Sequence, residues 1–261
     1  MKIKVFIAGI LTNSIMGKIL SFFYKNRIPF RGLVFNTCIP EISPVTKAEL
    51  FWKIYESAEI RFIQKYLPVS FDVIELGSSI GVVSSLIRKR LCEDARLICV
   101  EAHPALSRHI PVNLKLNKLY HNVTCLNKAI NYSQKSNDGA FFIPGELSTT
   151  GRVACGNPQH NSILVGTVTL SALKSTFRIN NFALIADIEG AEVNIIREDK
   201  EALNNCQHLF LELHNTTYAG FPVSVEDMLR ELIDIHGFCL RDRHYNVVYL
   251  NRVDNRRNLV H

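Results

Sequence analysis

None of the seven cysteines forms a C-x-x-C pair, so neither a zinc-ligand spacing nor a dithiol redox centre is present. The seven (Cys38, Cys92, Cys99, Cys125, Cys155, Cys206 and Cys239) are scattered and odd in number. Cys99 and Cys125 fall in apolar runs, where a thiol acts as a small hydrophobe. The expectation is reduced thiols in a cytoplasmic protein. The chain also lacks a membrane span at its start. Residues 5–11 are apolar, but Thr12, Asn13, Ser14 and Lys18 interrupt them well short of the ~20 residues a crossing needs. No small-residue cleavage site follows, which argues against a signal peptide. Repeats and low-complexity tracts are absent. There is no aromatic-basic stripe and no finger spacing, so no nucleic-acid partner is expected despite a net charge of +6 and a pI near 8.9. Much of that positive charge sits near the two ends, where it suits an anionic lipid surface or an anionic substrate. The single tryptophan, Trp52, is expected in the core, and the histidines form no ligand-spaced set.

What is present reads as a packed globular protein, 47% apolar and 21% charged. Residues 1–67 read as an N-terminal helical extension and 68–261 as one α/β domain. Within the extension, Ile10, Leu11, Ile15, Ile19, Phe22 and Phe23 share one helical face, opposite Ser14, Lys18, Ser21 and Lys25. Such a helix could lie on a membrane or on the rest of the protein, and residues 5–25 are the candidate peripheral membrane contact. Residues 28–45 carry Pro29, Gly32, Pro40 and Pro44 and read as a connecting segment. Thr46 and Glu49 read as a capping box opening one long helix, with Leu50, Ile54, Ala58 and Phe62 as its buried stripe, ending at Pro68.

From residue 68 the pattern alternates. Apolar strands are expected at 71–76, 96–100, 123–126, 183–186 and 209–213, with helices between them and a closing antiparallel pair at 239 and 247–250. Strands that are apolar throughout and alternate with helices imply a Rossmann-like, doubly wound, mostly parallel sheet covered on both faces. The polar stretch 131–162 interrupts this regularity and is expected to form a lid or acceptor wall, with Ser148, Thr149, Thr150, Gly151 and Arg152 as candidate contacts to substrate hydroxyls.

The first strand-to-helix turn reads Glu75-Leu76-Gly77-Ser78-Ser79-Ile80-Gly81. Ligands of such sheets bind outside the carboxyl ends of the strands, and glycines let backbone approach them closely. A dinucleotide fingerprint would need glycines at 77, 79 and 82, but Ser79 and Val82 stand at two of these positions. That spacing disfavours a nicotinamide oxidoreductase, which stays the first rival reading. A non-catalytic, membrane-associated binding module is the second. Glu101 ends the next strand, where a carboxylate can accept hydrogen bonds from two ribose hydroxyls.

Taken together, Glu75-Leu76-Gly77-x-x-x-Gly81, Val100-Glu101-Ala102-His103-Pro104, Asn117, Thr169-Leu170-x-x-Leu173, Asp187-Ile188-Glu189-Gly190-Ala191-Glu192 and Leu211-Glu212-Leu213-His214 resemble the FkbM-type methyltransferases over roughly residues 70 to 215. Glu75, Ser78 and the Glu-Ala-His-Pro run depart from the commoner Asp, Ala and Glu-Pro-x-Pro. The resemblance implies S-adenosyl-L-methionine as cofactor and a hydroxyl of a small molecule, sugar or glycan as acceptor. On that reading Glu75 attracts the cofactor's α-ammonium. The backbone of Gly77, Ser78, Ser79, Ile80 and Gly81 lines its methionine and ribose. Glu101 holds the ribose, while Ala102, His103, Asn127, Lys128 and Ala129 border the adenine.

Methyl transfer from a sulfonium is an in-line displacement, so alignment matters most and a base must take the acceptor's proton. The candidates are Asp187, Glu189, Glu212 and His214. Asp187 and His214 are the expected pair, without a metal. Two alternatives stay open: the acids hold a divalent cation, or Glu189 and Glu192 merely charge a helix N-terminus.

Overall fold

The computed structural model describes residues 11–132, 140–144, 151–154 and 162–252. The N-terminal part comprises helix α1 (Ser14–Phe23), a hairpin of β1 (Arg27–Phe30) and β2 (Leu33–Asn36), then α2 (Pro44–Phe51) and α3 (Ser57–Tyr66). The alternating part begins with β3 (Asp72–Leu76), α4 (Val82–Arg90), β4 (Leu97–Glu101), α5 (Pro104–Leu116) and β5 (Val123–Asn127). Short strands follow: β6 (Ala129–Ile130), β7 (Ala140–Pro144), β8 (Gly151–Ala154), β9 (Ile163–Val165) and β10 (Thr167–Val168). Then come α6 (Leu170–Thr176), β11 (Phe182–Ala186), α7 (Glu192–Glu198), α8 (Lys200–Asn205) and β12 (Cys206–Glu212). The chain closes with β13 (Thr216–Tyr218), β14 (Phe221–Val223), α9 (Val225–Asp234), β15 (Phe238–His244) and β16 (Val247–Arg252).

The central sheet has seven strands in the order β15-β16-β12-β11-β3-β4-β5. The five from β12 to β5 are parallel, and β16 and β15 join antiparallel, as the closing pair was expected to do. Successive residues feed opposite faces. Val73, Leu97, Cys99, Ala183 and Ile185 enter one apolar cluster; Ile74, Ile98, Val100, Leu184 and Ala186 enter the other. Burial on both faces is why these strands are largely apolar runs and not alternating ones, with Glu75 the buried exception in β3. Going outward from β3, the chain runs through β4 and β5 on one side and β11 and β12 on the other, so the crevice at the strand tips opens beside β3.

The N-terminal part differs from its expected form in three respects. Residues 27–36 are a hairpin and not a plain connection, with its turn at Arg31 (φ 48°) and Gly32 (φ 78°). The single helix expected from Thr46 is two. Ser43, not Thr46, caps α2, its hydroxyl accepting from the Thr46 N–H at 3.1 Å. Left-handed Lys53 (φ 61°) and Glu56 (φ 42°) break the chain before α3, and Ile54 is exposed. Trp52 is 39% exposed, not core. The first helix, α1, buries Gly17 and Leu20 while Ile15 (71%), Phe22 (81%) and Phe23 (74%) face outward. The extension is nonetheless continuous with the sheet: Leu20, Ile28, Phe30, Phe35, Leu50 and Phe62 share one cluster with Val73, Leu97 and Ile185. No described helix is long and apolar enough to cross a membrane.

Candidate functional site

The carboxyl ends of β3, β4, β11 and β12 bring Glu75, Glu101, Asp187 and Glu212 to one rim, and all four line a single cavity. The turn after β3 sets its floor. Gly77 (φ 86°) could carry no side chain, because a Cβ there would lie 1.9 Å from the Asp187 carbonyl oxygen. The Gly77 and Ser78 N–H groups donate to the Val100 carbonyl at 2.9 and 3.2 Å, and the Asp187 N–H donates to the Leu76 carbonyl at 3.1 Å. Three strand tips are thereby locked together.

Glu75 is buried, and its Oε2 accepts from Ser78 Oγ at 2.9 Å and Ser84 Oγ at 2.5 Å. Burial raises its pKa against the pull of those two hydroxyls. Glu101 is only 7% exposed and does not merely face solvent. Its Oε2 accepts from the Ser79 N–H at 2.8 Å and its Oε1 from the His103 N–H at 2.7 Å. Burial pushes its pKa up to about 7 although both donors favour the carboxylate. His103 caps α5 through Nδ1, which accepts from the Ala105 N–H, and its ring meets Phe142 edge-on. Asn127 Nδ2 donates to the Glu101 and Ala102 carbonyls at 2.9 and 2.8 Å, fixing that loop from behind.

The opposite wall is acidic. The Asp187 Oδ1 is hidden from solvent and has no hydrogen-bond partner among the described residues. His214 Nε2 stands 3.9 Å from Asp187, 3.7 Å from Glu189 and 3.9 Å from Glu212. Its Nδ1 is 3.5 Å from Glu192, an ion-pair contact and not a hydrogen bond. Burial alone would lower the His214 pKa, but Glu192, Asp187 and Glu189 outweigh it and raise it to about 9. Asp187 is raised by burial and by the neighbouring Glu56 and Glu212 carboxylates. Glu192 holds its own loop: its two oxygens accept from the Ile188 and Gly190 N–H groups, both at 2.9 Å.

Of the residues expected from sequence, Glu75, Gly77, Ser78, Ser79, Glu101, Ala102, Lys128, Ala129, Asp187 and His214 line the cavity. Ile80, Gly81, His103 and Asn127 stand behind its wall, supporting the loops that do. Asn117 belongs to the architecture, exchanging hydrogen bonds with the Val34 backbone of the hairpin. The excursion contributes Phe142 to the cavity lining; Ser148, Thr149 and Thr150 lie outside the described residues. Sequence reasoning missed Tyr55, Glu56 and Glu59, which reach the cavity from the N-terminal part. Their helical context carried no signal, because only the packing of α3 on the sheet brings them there.

Residues 75–246, well over half of the chain, match the model of the methyltransferase FkbM domain. Solved structures that resemble the chain include a protein of the NADB-Rossmann superfamily from Streptococcus agalactiae, at 13% identity and TM-score 0.43, covering 75% of this chain and 68% of that one. A Clostridium thermocellum protein assigned as an rRNA methylase matches at 8% and 0.46, covering 75% and 94%. A Streptococcus pneumoniae protein assigned as a tRNA (m1A22) methyltransferase matches at 13% and 0.43, covering 75% and 70%. No curated protein matches the chain.

Proposed function

The chain belongs to the FkbM methyltransferase family, as an S-adenosylmethionine-dependent methyltransferase, and from that premise we propose that it methylates a hydroxyl oxygen of a small molecule, sugar or glycan. The observation that supports this most is the placement of Glu75, Gly77 and Glu101 around one crevice, with the acidic wall and His214 facing them. The cofactor supplies the methyl group on a cationic sulfur. Glu101 would accept from its ribose hydroxyls, and the Gly77 to Ser79 backbone would line its methionine end. Ala102, Lys128 and Ala129 border the adenine.

Asp187 orients the acceptor and His214 Nε2 takes its proton. As the acceptor oxygen bonds to the methyl carbon, the carbon–sulfur bond breaks and the sulfonium charge disappears. The neighbouring carboxylates raise the His214 pKa and favour its charged form in the free protein. A sulfonium arriving nearby opposes that charge, so the neutral imidazole the step needs belongs to the cofactor-bound state. Replacing His214 with Ala should spare cofactor binding and lower turnover by about 10²–10⁴-fold. The acceptor assignment is tested by incubating the protein, labelled cofactor and fractionated cell extract. Label in a base-stable methyl ether of a small molecule or glycan supports it; label in RNA or in an amine contradicts it.

A second site has its own observation. The outward face of α1 exposes Ile15, Ile19, Phe22 and Phe23 beside exposed Lys18 and Lys25. We infer a peripheral contact of this face with an anionic membrane, where apolar side chains enter the interface and lysines meet headgroups. Co-sedimentation with phosphatidylserine vesicles, lost in Phe22→Ser/Phe23→Ser, is the expected result; equal partitioning of the variant would remove the idea.

A further inference from the structure

The acidic wall holds more carboxyl groups than the methyltransferase reading uses. Among the described residues seven carboxyl side chains line the cavity, against Lys128 and His214 as the basic ones. One oxygen from each of Glu56, Asp187 and Glu212 lies within 4.8 Å of the other two. These come from three separate places: the turn before α3, the end of β11 and the end of β12. Each is held for reasons other than mutual attraction. Glu56 occupies the N-cap of α3 in the left-handed region (φ 42°), yet its carboxylate makes no capping bond and lines the cavity instead. That is a strained backbone whose side chain forgoes its local partner. The Asp187 Oδ1 is solvent-hidden and unpartnered. Glu212 is oriented by Asn246 Nδ2, which donates to its Oε1 at 3.0 Å, as an outer-shell group orients a ligating carboxylate.

Glu59 is the independent observation. It is 6% exposed, lines the same cavity, and accepts no hydrogen bond among the described residues. Glu56, Asp187, Glu75 and Glu212 are the charges nearest it. A buried carboxyl without a partner costs several kcal/mol as an ion. Glu59 and the Asp187 Oδ1, both at this cavity, leave a place for a cation. Oxygen-only ligands select a hard ion.

We propose that Glu56, Asp187 and Glu212 form a site for a hard divalent cation of the Mg²⁺ or Mn²⁺ class, with Glu59 behind it. The sequence left a divalent cation open beside the metal-free expectation, and the proposal takes up that alternative with Glu56 as a further ligand. The site itself stands on geometry; its use in catalysis rests on the methyltransferase reading. There the cation binds the acceptor hydroxyl oxygen and favours its ionisation. The proton passes to His214, the oxygen–methyl bond forms, and the carbon–sulfur bond breaks to leave S-adenosylhomocysteine. Because Glu56 lies outside the family-matched residues 75–246, this chain's own N-terminal part supplies the third ligand.

The test is titration of the full-length protein with Mn²⁺, read by electron paramagnetic resonance, with S-adenosylhomocysteine binding measured in parallel. One Mn²⁺ per chain is expected, displaced by Mg²⁺, and weakened at least tenfold in Glu56→Gln and in Glu212→Gln. Retained S-adenosylhomocysteine binding shows that each variant is folded. No Mn²⁺ binding at millimolar concentration overturns the proposal, as does equal affinity in folded variants. Homocysteine-product binding without Mn²⁺ binding would remove this site and leave the methyltransferase reading standing. Mn²⁺ binding without it would do the reverse.

Discussion

At the residue scale, Glu101 accepts from the backbone of Ser79 and His103, so the side chain assigned to the ribose also ties two loops together. Glu101→Ala should therefore weaken cofactor binding by more than about tenfold, since bonds to a charged group contribute about 1.5–3 kcal/mol. Circular dichroism should show the fold retained. The pH dependence has a defined sign. Burial raises Glu101 from an ordinary 4.5 to about 7. The folded protein thus binds this proton more tightly than the unfolded chain. The stability it contributes is complete below the unfolded value and is lost as pH rises through about 7. Ribose hydroxyls donate to the ionised form, so cofactor affinity should rise between about pH 6 and pH 8. Calorimetric titrations across that range check it; a profile unchanged in Glu101→Gln would exclude Glu101 as the cause. Gly77 has no such latitude. A methyl at φ 86°, 1.9 Å from the Asp187 carbonyl, should cost roughly 3 kcal/mol or more. Gly77→Ala should lower the melting temperature by about 6–12 °C.

Among elements, α5 is the hub between the hairpin and the glycine turn. Asn113, fully buried, accepts from the Asn36 N–H at 2.7 Å and donates to the Ile80 carbonyl at 2.9 Å. Asn113→Ala leaves both backbone groups unpaired in the interior, at about 1–3 kcal/mol each. Denaturant unfolding should show that loss, and a change below about 1 kcal/mol would mean the loops repair themselves. Elements also differ in how legible they were in the sequence. The parallel strands could be read because burial on both faces leaves continuous apolar runs such as Phe182-Ala183-Leu184-Ile185-Ala186. The hairpin could not, because Pro29 and Gly32 signal any turn and its pairing partners appear only in three dimensions. The break between α2 and α3 was hidden for a different reason. Lys53 and Glu56 are poor left-handed residues, so nothing in their identities announces the conformation they adopt.

For the whole molecule, one apolar cluster runs from Leu20 and Phe35 through Phe62 to Ile185, joining the extension to the sheet. Removing residues 1–67 would expose that face and take away Tyr55, Glu56 and Glu59 from the cavity. The truncated chain should fail to give the single cooperative melt expected of the full-length protein; an independent, sharp transition would show that the extension is separable. The cofactor half of the site was readable in the sequence, since its residues sit on two local turns, Glu75 to Gly81 and Glu101 to His103. On the acidic side Asp187, Glu189, Glu212 and His214 were readable as well, but Glu56 and Glu59 were not, because they reach these residues only through packing between distant segments. The central claim is that the crevice beside β3 and β4 holds the cofactor. The most direct measurement is a crystal structure of the full-length chain with S-adenosylhomocysteine. The account predicts its ribose hydroxyls within hydrogen-bonding distance of Glu101 and its homocysteine over Gly77. A crevice without the ligand at saturating concentration, or the ligand bound elsewhere, would contradict it.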